Sequence, residues 1–216
     1  MTRTFQAIIW DFGGVFTSSP FEAFNRYEAA SGLPVDFIRT VNSINPLENA
    51  WAKLERSQVD AEGFDELFRV ESTALGHEVR GKEILGLLAG SLRPRVVHAL
   101  KVCKTKGKVG CITNNAPIGK GASMTSDDGK ARELAAVFDQ FDHLVESSKL
   151  GIRKPDPRIY ALMCEALDVD PKACVYLDDL GINLKPARDM GMATIKVDGE
   201  EQLLNDLEAV TGYALR

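Results

Sequence analysis

Three carboxylates, a hydroxyl, two amides and a lysine stand at the ends of apolar runs in this 216-residue sequence. Asp11 follows the run 5–10 and precedes Phe12-Gly13-Gly14-Val15. Thr113-Asn114-Asn115 closes a second run, and Asp178-Asp179 closes a later one. Between them, Lys154-Pro155-Asp156-Pro157 forms a basic, proline-broken loop. A phosphate ester would give each of these groups a task. A carboxylate can attack phosphorus and form an aspartyl-phosphate. Phosphoryl transfer spreads negative charge over equatorial oxygens, so it needs a cation and oriented donors. Lys154 offers the positive charge. The Thr113 hydroxyl, the Asn114 amide and backbone N–H groups around Gly13 and Gly14 offer donors. Mg²⁺ prefers carboxylate oxygens and water, and Asp11, Asp178 and Asp179 provide the carboxylates. Gly13 and Gly14 allow close backbone approach. Taken singly, each residue has a plainer reading: an Asp at a strand end caps or turns the chain, and a lone lysine is a solvated surface group. Their order and placement carry the argument.

That placement requires a parallel sheet, because ligands of open α/β sheets bind beyond the carboxyl ends of the strands. Residues 5–10, 108–113, 173–177 and 193–197 read as buried parallel strands: short, apolar and rich in β-branched side chains. Residues 141–147 are a fifth candidate. Helical periodicity lies between them at 95–106, 158–167, 183–190 and 200–211, the last stopped by Gly212. The expected fold is therefore α/β, a Rossmann-like doubly wound parallel sheet. One connection is too long. Residues 17–91 separate the first strand from the helix leading to the second, where about a dozen residues suffice for a crossover. The segment has helical pieces at 21–31, 35–41, 47–56 and 61–74, broken at Gly32-Leu33-Pro34 and Asn45-Pro46. The expected organisation is a core of residues 1–16 and 92–216, with a small helical insertion at 17–91. Residues 119–129 read as a mobile polar loop.

Composition narrows the class. The net charge is −5, so the overall basic footprint of a nucleic-acid binder is missing. The N-terminal apolar run is too short for a secretory leader, and no run reaches the roughly 18 apolar residues of a membrane span. Cys103, Cys111, Cys164 and Cys174 form no CxxC pair and read as reduced core cysteines of a cytoplasmic protein. His77, His98 and His143 read as surface or packing residues.

The sequence resembles the haloacid dehalogenase-like hydrolase superfamily. Four motifs occur in order: Ile8-Ile9-Trp10-Asp11-Phe12-Gly13-Gly14-Val15, Cys111-Ile112-Thr113-Asn114-Asn115, Lys154-Pro155-Asp156-Pro157-Arg158-Ile159-Tyr160, and Val175-Tyr176-Leu177-Asp178-Asp179-Leu180-Gly181-Ile182-Asn183. The stretch 177–192 is similar to the phosphatase domains found in soluble epoxide hydrolases and attached to acyl-CoA dehydrogenases. The resemblance implies that 17–91 is a helical cap over the site. It implies Asp11 as nucleophile and Mg²⁺ ligand, Thr113 and Asn114 holding the phosphoryl group, and Lys154 neutralising nucleophile and phosphate. It also implies Asp179 as direct Mg²⁺ ligand with Asp178 close by, and the Gly13 carbonyl as a further ligand. Gly13 itself departs from the pattern. Most phosphatases of the family carry there an Asp that serves as general acid and base, a contribution of roughly 10²–10⁴-fold in rate.

The first expectation is a Mg²⁺-dependent phosphatase of a small phosphorylated metabolite, monomeric or dimeric, with Asn45, Trp51 and Arg56 as cap residues facing substrate. A catalytically weak binding or regulatory domain is the alternative favoured by Gly13. A 2-haloacid dehalogenase is a third reading; the paired Asp178-Asp179 would repel its carboxylate substrate.

Overall fold

The computed structural model describes residues 4–88, 90–120, 122 and 124–216. Gly121 and Ser123 of the 119–129 loop therefore lie outside the described residues, as do residues 1–3 and Ala89 of the 17–91 segment. Five strands form one parallel sheet in the order β3-β2-β1-β4-β5: β1 Ala7–Trp10, β2 Lys108–Thr113, β3 His143–Glu146, β4 Cys174–Asp178 and β5 Ala193–Lys196. This is the expected Rossmann-like arrangement, and the weakest strand in the sequence pattern, β3, is one of its two edges.

The alternation of side chains along a strand builds two cores. Ile8 and Trp10 of β1, Val109 and Cys111 of β2, and Val175 and Leu177 of β4 pack on one face. Helices α6 (Pro94–Lys104), α7 (Asp128–Phe138) and α11 (Glu200–Thr211) cover that face with Val96, Leu100, Leu134, Leu203 and Leu207. Ala7, Ile9, Ile112 and Tyr176 pack on the other, under α9 (Pro157–Leu167) and α10 (Gly181–Asp189). Both faces are apolar because both are covered, which is why the strands read as continuous apolar runs.

Among the described residues, five helices lie between β1 and α6: α1 (Pro20–Ser31), α2 (Phe37–Ser43), α3 (Ala50–Glu55), α4 (Ala61–Ala74) and α5 (Gly81–Gly86). They share a third apolar cluster around Phe24, Phe37, Ile38, Leu54, Phe64 and Phe68. The chain leaves and returns side by side: Thr17 bridges Leu92, Ser18 N–H donates to Ser91 O at 2.8 Å, and Arg93 N–H donates to Phe16 O at 2.8 Å. Two helices differ from the sequence reading. Helix α5 is short and begins and ends on glycine, so it shows no period. Helix α7 starts inside the segment read as loop: the Asp127 side chain caps it by accepting from Lys130 N, and Leu134 and Val137 then supply its buried face. A four-residue helix, α8 (Ser147–Leu150), follows β3. Among the described residues, no helix is long and apolar enough to cross a membrane.

Candidate active site

Parallel pairing fixes the level of each strand end. Trp10 is in register with Cys111 on one side and Leu177 on the other, and Asp11 N–H donates to Leu177 O at 2.8 Å. The first residues beyond that level are Asp11, Ile112-Thr113 and Asp178. Alternation sends Asp178 to the same side as Tyr176, the α9–α10 side. Lys154, in the loop before α9, arrives from that side. Its Nζ lies 2.7 Å from Asp11 Oδ1 and 2.8 Å from Asp178 Oδ2.

These groups are deeply buried. Lys154 is 1 % exposed and Asp178 0 %. Burial opposes the charge on Lys154, but Asp11 and Asp178 outweigh it and push its pKa above the ordinary lysine value. The lysine main chain is fixed by Asn114, whose Oδ1 accepts from Lys154 N at 2.8 Å and whose Nδ2 donates to Lys154 O at 3.1 Å. The Asn114 amide, expected on the phosphoryl group, thus also holds the lysine backbone. Asn115 ties the same strand end to β3, donating to Glu146 Oε1 and accepting from Ser148 Oγ.

Asp178 is surrounded by donors. Lys154 Nζ and the Tyr176 hydroxyl, the latter at 2.5 Å, take Oδ2; Leu180 N–H takes Oδ1; Asn183 Nδ2 reaches both oxygens. Tyr160 in turn donates to Asn183 O at 2.7 Å and meets the Tyr176 ring edge-on. Asp179 is different. Burial, then the charge of Asp178, pushes its carboxyl up to about 6, against the pull of Lys154 and Arg93. Burial likewise raises Asp11 well above the carboxylate range; Lys154 opposes this, and Asp178 and Asp179 add to it.

Carboxylate oxygens of Asp11, Asp178 and Asp179 lie within 4.8 Å of one another, a donor set suited to a hard divalent cation. Gly14 makes room for the Asp179 side chain. Its φ is +74°, and a Cβ there would sit 2.2 Å from Asp179 Oδ2. At Gly13, by contrast, an added Cβ would meet nothing within 4 Å. With the Asp178 oxygens occupied by donors, Asp11 and Asp179 are the carboxylates that fit a metal best. Among the described residues, both hydrogen-bonding partners of the Asp11 carboxylate, Phe12 N–H at 2.7 Å and Lys154, take Oδ1.

Residues outside the sequence reading complete the site. Arg93 donates to Gly14 O at 2.7 Å and Val15 O at 3.2 Å, fixing the turn after Asp11. Tyr176 stands two residues before Asp178, and strand alternation is the signal that could have found it. On the helical segment, Glu55 approaches the lysine loop: its Oε2 is 2.5 Å from Arg153 Nε, and its Oε1 accepts from Trp51 Nε1 at 2.8 Å. Arg153 also donates to Pro46 O, and Ser57 Oγ to Ser148 O at 2.6 Å. Burial raises the Glu55 carboxyl, opposed by Arg153, Trp51 and Lys154. Of the residues expected to face substrate, Arg56 is held by Leu47 O, Gln58 and Glu48, Trp51 packs edge-on against Phe64, and Asn45 is exposed. Their neighbour Glu55 is the one that meets the lysine loop.

A family model described as "Hydrolase: haloacid dehalogenase-like hydrolase" matches residues 5–191. Bifunctional epoxide hydrolase 2 of Mus musculus is 33% identical over 200 residues, covering 88% of this chain. The chain spans only 36% of that relative's length. Phosphatase MT3486 of Mycobacterium tuberculosis (strain CDC 1551 / Oshkosh) is 27% identical over 91% of this chain and 88% of its own length. A solved structure of the HAD family enzyme bt-2542 of Bacteroides thetaiotaomicron, in complex with magnesium and inorganic phosphate, superposes with a TM-score of 0.58. It is 20% identical and covers 91% of this chain and 96% of that one, which establishes the shared fold.

Proposed function

The chain belongs to the haloacid dehalogenase-like hydrolases, and from that premise we propose that it is a magnesium-dependent phosphatase of a small phosphorylated metabolite. The observation that carries this reading is the Asp11–Lys154–Asp178 contact with Asp179 on the same strand-end level. Phosphatase MT3486 and the magnesium and phosphate complex of the bt-2542 enzyme point the same way.

Asp11 Oδ2 is the attacking oxygen. Its bond to phosphorus forms as the ester P–O bond breaks, giving an aspartyl-phosphate that water then hydrolyses. Lys154 holds Asp11 Oδ1 and offsets charge on the transferring group. The Thr113 hydroxyl and the backbone around Gly13 and Gly14 supply donors to the phosphoryl oxygens. Asn114 contributes by fixing Lys154. Asp11, Asp179 and the Gly13 carbonyl would hold Mg²⁺, with Asp178 beside them orienting Lys154; when bound, the ion neutralises developing negative charge. The helices within 17–91 form a cap that meets the core at Glu55–Arg153, excludes water and sets specificity.

Gly13 supports a second reading, a weak or non-catalytic phosphate-binding domain, because nothing stands where a general acid would. One experiment separates the two. Hydrolysis of an activated aryl phosphate is measured with and without Mg²⁺, in the wild type and in Asp11→Asn. Turnover that needs both the metal and Asp11 supports the phosphatase. Phosphate binding with no turnover overturns it in favour of the binding domain, and metal-independent halide release from a 2-haloacid would assign a dehalogenase.

A further inference from the structure

Helix α3 ends on Glu55, and the helix is held firmly from behind. Asn49 caps its start by accepting from Ala52 N–H at 2.9 Å, and Glu71 Oε1 of α4 accepts from Ala50 N–H at 2.8 Å. Ala50 and Leu54 are fully buried in the cluster around Phe64 and Phe68. One turn before Glu55, Trp51 donates its Nε1–H to Glu55 Oε1 at 2.8 Å. The other oxygen, Oε2, is thereby aimed at Arg153 Nε, 2.5 Å away. The pair is shielded from water: the Glu55 side chain is 7 % exposed and that of Arg153 19 %. Apolar side chains would fill such a place at lower desolvation cost, so the charges ask for a role.

The chain flanking α3 reaches the same loop on either side of that pair. Arg153 Nη1 donates to Pro46 O at 2.9 Å, and Ser57 Oγ donates to Ser148 O at 2.6 Å. Two residues at these contacts stand at positive φ without being glycine, Asn45 at +46° and Ser57 at +57°. That conformation is unfavourable for a residue with a side chain and persists where surrounding contacts hold it.

What these contacts grip is the approach to Lys154. On the core side, Asn114 fixes the lysine main chain at both its N–H and its C=O. Fixing one residue leaves the peptide before it free to tilt. Fixing Arg153 as well sets the direction in which the lysine side chain departs toward Asp11 and Asp178, 2.7 and 2.8 Å from its Nζ.

We propose that Glu55 is a positioning residue for the reaction at Asp11: oriented by Trp51 and paired with Arg153, it fixes the lysine loop from the helical segment and so holds the Lys154 ammonium between Asp11 and Asp178. Glu55 acts through Arg153 and touches no reacting atom. Its effect on turnover rests on the phosphatase reading, in which a misplacement of about 1 Å costs on the order of 10²-fold in rate. Trp51 gains a task as well: its ring packs edge-on against Phe64 while its N–H orients Glu55.

The test compares wild type with Glu55→Gln, Arg153→Met and the double variant, by turnover of an activated aryl phosphate with Mg²⁺ and by backbone hydrogen exchange. Glu55→Gln keeps the shape and the acceptor for Trp51 and removes the charge. In either single variant kcat should fall about 10- to 10²-fold with KM within about threefold. The double variant should be no slower than the slower single, because both remove one interaction. Amides across 149–156 should exchange about fivefold faster or more, while β1 and β4 keep their protection. An unchanged kcat, a rise in KM alone or additive losses in the double variant would each overturn the proposal. So would exchange that rises evenly over the whole chain, which would mark the pair as a general structural tie. A wild type that turns over no phosphate would defeat the phosphatase reading instead; exchange across 149–156 would still report whether Glu55 holds the loop, and no change there would overturn the proposal. If a charge variant fails to fold, Trp51→Phe keeps the ring and loses the N–H. It should move kcat and the exchange in the same direction by about two- to fivefold, and no change in either would also overturn the proposal.

Discussion

Asp178 and Gly13 stand on two sides of one site and are built in opposite ways. Around Asp178, Lys154, Tyr176, Leu180 and Asn183 supply donors to both carboxylate oxygens, and no part of the residue reaches solvent. Around Gly13 there is open space. The first region manages the charge of a phosphoryl group; it is rigid because a buried carboxylate without partners costs several kcal/mol. The second is where protons would be handled for the leaving group, and it carries no titratable side chain. The contrast teaches that this chain is equipped to bind and polarise a phosphate ester more fully than to protonate what departs from it.

The comparison can be broken first at its strongest point. Asp11→Asn is expected to lower turnover of an aryl phosphate by about 10³-fold or more, while the fold, read by circular dichroism, persists. A variant within tenfold of wild type would remove Asp11 as nucleophile. Lys154→Met leaves Asp178 with its charge buried and its cation gone. Chemical denaturation should then show a loss of about 3–5 kcal/mol. A change below about 1 kcal/mol would mean that Tyr176, Leu180 and Asn183 suffice to hold Asp178.

Filling the open side should act in the opposite sense. Gly13→Asp has room for its Cβ, so stability should move by no more than about 0.5 kcal/mol. Turnover of alkyl phosphates, which are poor leaving groups, should rise by up to about 10²-fold, with little change for aryl phosphates. Equal effects on both would show that the missing acid is not what limits the rate.

Acidity gives a smaller and more continuous probe. The Asp179 carboxyl, at about 6, is raised, so its neutral form is the one metal-free folding favours. Its stabilising contribution is complete below the unfolded value near 3.8 and is lost as pH rises through about 6. Mg²⁺ favours the ionised form and competes with that proton. The rise in Tm on adding Mg²⁺ should be largest above pH 6 and shrink below it, and apparent metal affinity should fall by about tenfold per pH unit there. A pH-independent Mg²⁺ effect would exclude Asp179 as the ligand. A last change is Tyr176→Phe, which removes one hydrogen bond to a charged group. A loss of about 1.5–3 kcal/mol is expected, with kcat lowered and Mg²⁺ affinity unchanged. Weakened metal binding instead would show that Asp178 acts on the cation directly.

The arrangement of strands was legible because parallel strands covered on both faces must be apolar throughout, and five such runs stand out between helical periods. Asp11, Thr113 and Asp178-Asp179 could be singled out because each closes or follows such a run, and Lys154 because it sits in a basic, proline-broken loop between runs; each carries a group that can act on phosphate. Helix α7 escaped the reading because Gly129 lies in its first turn and its polar start resembles the loop before it.

Sequence alone therefore determined the chemistry available: which carboxylates and which lysine gather at one sheet edge, and that no acid stands at position 13. Only the tertiary structure decided how that chemistry is divided. Adjacent in sequence, Asp178 and Asp179 read as equals. Strand alternation turns one inward to Lys154, Tyr176 and Asn183, while the other meets the Gly14 backbone, where no Cβ fits. Asn114 takes up the main chain of Lys154 only once that loop folds against it, and Glu55 has no signature until the helical segment meets Arg153. The contacts of Asn114 and Glu55 join residues 40 and 98 positions apart in the chain, which local periodicity cannot encode.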